Sequence, residues 1–319
     1  MTNRSAGRGR RGAAGAETTA ARPVVGPGVS AQGRGPAAAA AAIVFVFLWA
    51  SAYVPSKVAS VESPPLWFLA IRFATAGLVL ALIAVALRRK APATVRGWLV
   101  ACALGVLTNA LYLGLTYTAL QRMSSGMGAI IASTNPLVLA LLAPRLLGER
   151  LTPVKTIGLL LGFGGVLAIV LARAGTRGAQ PADVALAFGG VLAGVGSTLL
   201  FKRWAEGADL IVVNAIQLLA AGLVIAPVAW LVYGVPHVSP TPELAASFAY
   251  LVLVVSVGAS LLWFRLLARG EASRVSAYYY LTPVFGLALS ALLLHERVEA
   301  RDVAGLVAIA GGIALVQRS

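Results

Sequence analysis

The chain has 319 residues, 59% hydrophobic and only 12% charged, with a mean hydropathy of +0.86. Soluble domains carry roughly 25% charged residues, so a fold that faces water on every side is excluded by its own surface requirement. The net charge of +15 does not point to nucleic acid, because the basic residues lie in a tail and in short loops between apolar runs, the distribution that orients a membrane protein.

Residues 1–37 hold Arg4, Arg8, Arg10, Arg11, Arg22 and Arg34 against Glu17 alone, with no hydrophobic period, and read as a disordered basic cytosolic tail. The run Ala37–Leu48 with Ala50-Ser51-Ala52 behind it also imitates a signal peptide and its cleavage site. Cleavage there would destroy the first apolar span, whose counterpart later in the chain is intact. Ten spans follow, near 38–58, 65–87, 98–119, 124–147, 154–172, 182–203, 209–233, 243–265, 273–294 and 302–317. Each approaches the roughly 20 residues that cross a bilayer. The links are short, and breakers such as Ser63-Pro64-Pro65 mark them.

One stretch of this order occurs twice. Pro136, Glu149-Arg150, Gly158 and Gly164-Gly165 return as Pro283, Glu296-Arg297, Gly305 and Gly311-Gly312, every pair 147 positions apart (283 − 136, 296 − 149). Nearer the start of each copy, Lys57 matches Lys202 and Arg72 matches Gln217 at an offset of 145 (202 − 57, 217 − 72). A fixed offset over two apolar helices and a charged corner means a duplicated unit. Residues 38–172 and 182–317 form the two copies. Each holds five spans, an odd number, so the copies face opposite ways across the bilayer. The predicted fold is an all-α membrane protein of ten transmembrane helices in two inverted five-helix repeats, the architecture of alternating-access carriers.

Basic residues set the orientation. With the N-terminus inside, the cytosolic segments hold nineteen Lys and Arg and the outer segments six, while Arg72 lies within a span. Both termini are expected in the cytosol.

Pro136 and Pro283 fall near the middle of spans four and nine, as paired hinges. Each lacks an amide hydrogen and displaces the carbonyl four residues earlier, of Ala132 or Tyr279. A carbonyl freed inside a membrane must face protein or a wet cavity, and breaks at equivalent places in inverted halves point to a central substrate site. The candidate lining is Trp49 and Ser51 of span one, Asn109 and Tyr112 of span three, Asn135 beside the first break, Ser197 of span six, Trp263 of span eight, and Tyr279 and Tyr280 beside the second break. Amides and hydroxyls hydrogen-bond a solute without the desolvation cost of a fixed charge, and aromatic faces suit apolar or cationic groups. Each also has a plain structural reading, as a helix-bonded hydroxyl or an interface aromatic.

Charges within or beside spans are few. Arg72 must face the bundle interior or snorkel, and Lys57 and Lys202, near helix ends, are either snorkelling side chains or pathway gates. All eleven acidic residues fall in the tail, loops or helix ends, so no carboxylate is placed to relay a proton at mid-membrane. Glu149-Arg150 and Glu296-Arg297 are expected to form corner ion pairs that fix helix-to-helix turns. Thr152-Pro153 caps the next helix, and the glycine pairs serve close helix packing.

Trp49-Ala50-Ser51 with Lys57, Arg72 and the doubled Pro-x12-Glu-Arg corner followed by Gly and Gly-Gly resembles the EamA-like family of the drug/metabolite transporter superfamily. The resemblance covers about residues 38–317 and departs at Ala50, where the family often has glycine. It implies an inner-membrane carrier, usually an exporter of amino acids or related metabolites. The expected partners are a small-molecule substrate and the lipid bilayer, with the chain working as a monomer or homodimer. A nucleotide-sugar or other metabolite exchanger is the alternative, and a passive channel or lipid scramblase a different class. No zinc-ligand spacing, nucleophile elbow or phosphate loop is present, and Cys102 stands alone, so no enzyme activity, metal or cofactor is expected.

Overall fold

The computed structural model describes residues 36–120, 122, 131–173, 180–205, 207–236, 241–282, 284–285, 288 and 300–319, and these form helices joined by short turns and loops, with no strand among them. In chain order the helices are α1 (Pro36–Ser51), α2 (Tyr53–Glu62), α3 (Pro65–Ala86), α4 (Val95–Ala119), α5 (Asn135–Leu147), α6 (Pro153–Arg173), α7 (Pro181–Ala205), α8 (Leu210–Tyr233), α9 (Pro242–Arg269), α10 (Ala272–Ala277) and α11 (Ala300–Arg318). Five of them, α3, α4, α7, α8 and α9, are long and apolar enough to cross a membrane. Pro283, Glu296 and Arg297 lie outside the described residues.

Local chemistry sets the helix ends. Proline occupies the first turn of α3, α7 and α9, where its missing amide hydrogen costs nothing. Side-chain caps open α4, α8 and α9: Thr94 accepts from the Gly97 amide at 3.2 Å, Asp209 from Ile211 at 3.0 Å, and Thr241 from Leu244 at 3.1 Å. Gly148 closes α5 with φ +70°, a left-handed turn that a side chain would resist.

The first expected span is not one helix. It breaks at Ala52, between α1 and α2. Pro55 is the cause, because it has no amide hydrogen to offer the Ser51 carbonyl one turn earlier.

Two helix pairs run together along most of their length, α3 with α8 and α6 with α11. Small residues permit both. A Cβ on Gly77 would meet Leu219, with its backbone nitrogen 2.9 Å away, and one on Gly222 would meet the Ala70 carbonyl at 3.0 Å and the Ala74 nitrogen at 3.1 Å. In the second pair, a Cβ on Gly158 would lie 2.7 Å from the Gly312 carbonyl oxygen, and one on Gly165 would lie 2.7 Å from that of Gly305. Helices in lipid gain little from apolar burial against each other, so close backbone approach of this kind drives their association.

Contacts sort the connections to two ends of the bundle. At the end where α1 begins, Arg89 pairs with Asp209 at 3.5 Å, Arg203 donates to the Leu146 carbonyl at 3.1 Å, and Glu149 reaches Ser273. At the other end Trp67 donates to the Gly234 carbonyl at 2.9 Å and Thr241 bonds Glu62.

Candidate functional site

A cavity of about 70 Å³ lies between the two ends, room for a few waters or part of a small solute. Its wall comes from both halves of the chain: Trp49 of α1; Thr108, Asn109 and Tyr112 of α4; Ala132, Ser133 and Asn135 around the start of α5; Gly194, Ser197 and Thr198 of α7; Gln217 of α8; Ser260, Trp263 and Phe264 of α9; and Tyr279 and Thr282. None of these side chains carries a formal charge. The wall combines amides and hydroxyls with five aromatic side chains, a set suited to a polar solute without net charge.

The structure therefore brings together Trp49, Asn109, Tyr112, Asn135, Ser197, Trp263 and Tyr279 from distant parts of the sequence. It leaves two expected lining residues elsewhere. The Ser51 hydroxyl donates to the Leu48 carbonyl at 2.8 Å and pairs with the Tyr250 hydroxyl at 2.6 Å, where it helps tie α1 to α9. Tyr280 is fully buried among Ala140, Leu159, Ile309 and Ile313, with its ring 2.6 Å from where a Gly162 Cβ would be. Adjacent residues in a tight turn point to different sides, so Tyr279 and Tyr280 cannot both face the cavity.

Irregular backbone surrounds the cavity. In α4 the hydrogen-bond ladder widens to π-type turns over Val106–Leu113, carrying Asn109 and Tyr112. Similar turns span Phe201–Ala205, just past Ser197 and Thr198, and Leu251–Ala259, just before Ser260. Tyr278–Leu281 instead tightens to a 3-10 turn. Such departures from α geometry recur at functional sites because they re-aim side chains. At α5 the chain turns at Ser133 and Thr134 and the helix restarts at Asn135, so Pro136 sits in a first turn and not mid-helix. The expected break is present, one step before the proline.

Polar groups in the wall are partly committed. The Thr108 and Ser197 hydroxyls bond each other, and Thr198 donates to the Gly194 carbonyl at 3.1 Å. Gln217 donates to Asn214, leaving its own Oε1 buried without a hydrogen-bond partner among the described residues; Thr282 Oγ1 is in the same position. Buried acceptors left unpaired are costly, so both are ready to bind a donor.

Towards the Pro36 end, aromatic rings and then ions follow beyond the cavity. Phe45 stacks on Trp263 at 5.0 Å between centroids, and Trp263 meets Tyr279 at 5.0 Å. Beyond them Lys202 donates from Nζ to the Leu267 carbonyl at 3.1 Å. The outermost layer corrects the expected Glu149–Arg150 pair: Arg150 is exposed, and the Glu149 carboxylate accepts from the backbone amides of Ala272 at 2.6 Å and Ser273 at 3.3 Å. Its cation is Lys155, 3.7 Å away. Lys155 is 2% exposed and also pairs with Glu271 at 3.0 Å. Arg274 Nε lies 3.1 Å from the same Glu271 oxygen, an electrostatic contact although its N–H does not aim at that oxygen. The corner runs on into α6, where the Thr152 hydroxyl caps the helix and turns Lys155 inward.

Arg72 is 3% exposed and faces the interior, with Nε donating to the Ser256 hydroxyl at 2.9 Å and its guanidinium 5.4 Å over the Phe73 ring. It stands outside the cavity wall, while its repeat partner Gln217 is in it. The helix bearing Lys57 is described, its side chain is not. Lys155, Glu271 and Ser273 were not singled out by sequence, and Gln217 was marked only as the residue matching Arg72, not as lining. A lone lysine in the first turn of an apolar helix, and a Glu just before a helix start, were the available signals.

A model of the EamA-like transporter family matches residues 36–171 and again residues 182–318. The chain is 29% identical over 270 residues to the uncharacterized transporter YvbV of Bacillus subtilis (strain 168), which covers 84% of this chain and 88% of the relative. It is 27% identical to Protein PecM of Dickeya dadantii (strain 3937) over 274 residues, 85% of this chain and 89% of the relative. Identity to the uncharacterized inner membrane transporter YedA of Escherichia coli (strain K12) is 27% over 281 residues, 84% and 87% of the two chains. A solved crystal structure 21% identical superposes with a TM-score of 0.73, covering 88% of this chain and 96% of the other, a likeness of fold. With both matches together spanning nearly all of it, the chain belongs to the EamA-like transporter family and is a multi-pass membrane transporter of small molecules.

Proposed function

We propose that this transporter is an inner-membrane carrier that exports a small metabolite without net charge, of the amino-acid class, by alternating access through the cavity between its two halves. The observation that carries the reading is the cavity wall, uncharged, rich in amides, hydroxyls and aromatic rings, and drawn from both halves. A zwitterion fits such a wall, with its ammonium on carbonyl and hydroxyl acceptors such as Gln217 Oε1 and Thr282 Oγ1 and its apolar part against Trp49, Trp263 and Tyr279. A nucleotide sugar, carrying two negative charges, would meet no cation there, because Arg72 is turned to Ser256.

Ten spans in two inverted halves, 38–172 and 182–317, complete the proposal, with both termini in the cytosol. Reciprocal packing supports the inversion. Gly158 touches Gly312, the repeat mate of Gly165, while Gly165 touches Gly305, the mate of Gly158. In the other pair Gly77 touches Leu219, the mate of Ala74, while its own mate Gly222 touches Ala74. Contacts exchanged in this way are what a two-fold axis between the halves produces. The ring and ion layers at the Pro36 end then form a closed cytosolic gate.

The test is an export screen. Cells overproducing the chain should release neutral amino acids or close relatives faster than empty-vector cells, and purified protein in liposomes should exchange the same solute with saturation. Release of nucleotide sugars alone, or flux that grows linearly with concentration, would overturn the proposal.

A further inference from the structure

We propose that a second cavity, beside α1 at the Pro36 end, is a binding site for the headgroup of an anionic phospholipid. It measures about 150 Å³. One wall is apolar, Ala38 and Ala42 of α1 with Tyr278. The other is basic, carrying Arg265 and Arg269 of α9. These two arginines are four residues apart, so they stand on the same face of the helix one turn from each other, where like charges repel. Both are exposed, and neither forms an ion pair among the described residues. The carboxylate in the cavity, Glu271, is already held by Lys155 at 3.0 Å and lies against Arg274. Arg274 is itself engaged with the Gln317 carbonyl at 3.4 Å. Two cations thus face a cleft whose anion is committed elsewhere.

The position selects the ligand. Arg269 ends α9, so the basic wall lies at the level where a bilayer gives way to water, and the alanines of the first two turns of α1 offer the upper part of an acyl chain a smooth surface beside it. A phosphodiester headgroup supplies the missing negative charge, and its chains supply the apolar contact. The chain's own tail is an unsuitable occupant, because residues 1–35 carry six arginines against Glu17. Which leaflet holds the lipid rests on the cytosolic orientation proposed above; the site itself does not.

The full chain, purified in detergent and supplied with equal amounts of phosphatidylglycerol and phosphatidylcholine, tests this by native mass spectrometry of the retained lipid. Phosphatidylglycerol should be retained about tenfold over phosphatidylcholine. Arg265→Gln/Arg269→Gln should abolish the preference, Arg265→Lys/Arg269→Lys should keep most of it, and Lys90→Gln/Arg145→Gln, which removes exposed cations outside the cleft, should leave it intact. No preference in the parent chain, its persistence in Arg265→Gln/Arg269→Gln, or equal loss in Lys90→Gln/Arg145→Gln would each overturn the proposal. So would displacement of the lipid by millimolar inorganic phosphate, which marks a free-anion site. Lipid retention is read without transport, so a chain that binds the lipid but moves no amino acid defeats only the functional reading.

Discussion

Glu149 holds Ser273: a carboxylate from the loop that ends the fourth expected span accepts the backbone amide of a residue opening the ninth, 3.3 Å away. The Ser273 hydroxyl bonds the same carboxylate, and Lys155 neutralises it from 3.7 Å. One side chain thus joins the two halves of the chain at one end of the bundle. Any motion that opens that end must separate the two.

Glu149→Ala should therefore loosen that end. Loss of a cap costs about 0.5–2 kcal/mol, and Lys155 keeps Glu271 as its one carboxylate among the described residues. Thermal unfolding in detergent should show a lower midpoint, and a cysteine placed at Ser276 should react faster with a thiol reagent. Arg150→Ala, changing an exposed side chain, should shift stability by no more than about 0.5 kcal/mol.

The glycine pairs separate under the same measurement. Gly165→Ala would place a methyl 2.7 Å from the Gly305 carbonyl oxygen, whereas at Gly164 nothing lies within 4 Å. Overpacking of this kind costs about 1–3 kcal/mol. The expected result is a lowered midpoint for Gly165→Ala and an unchanged one for Gly164→Ala.

In the cavity, Asn135→Ala should weaken apparent affinity for the exported solute about threefold to tenfold, the loss of one hydrogen bond. Tyr280→Phe should transport like the parent, because its hydroxyl is buried away from the cavity with no hydrogen-bond partner among the described residues. Initial rates over a range of solute concentrations distinguish the two.

Coupling follows from the same wall. Neither the cavity nor the centre of any expected span offers a carboxylate to carry a proton. Transport down a solute gradient in liposomes should persist when an imposed pH gradient is collapsed. Uphill accumulation strictly dependent on that gradient would contradict this and direct attention to Lys202 and the tyrosines at 278–280.

Much of the lining was legible from residue type and its nearness to the doubled prolines: Asn135 lies next to Pro136, and Tyr279 four residues before Pro283. The widened turns in α4, α7 and α9 were not legible, since no proline marks them and hydrophobic period is blind to a one-residue slip in the ladder. Ser51 was misplaced because the break caused by Pro55 ends α1 at that residue and leaves its hydroxyl with the Leu48 carbonyl. Glu149-Arg150 misled differently. Adjacency in sequence suggested a pair, but capping two amides of α10 while facing a buried lysine satisfies a carboxylate better than an exposed arginine does.

Alternating access is the central claim, and sided labelling of one cavity residue tests it most directly. In a Cys102→Ser background, Ser260→Cys should react with a membrane-impermeant thiol reagent added from either side of sealed vesicles, and saturating solute should slow both reactions. Adding Glu149→Ala should raise the reaction from the cytosolic side and lower it from the outside. Reaction from one side only, unaffected by solute and by Glu149→Ala, would contradict the account.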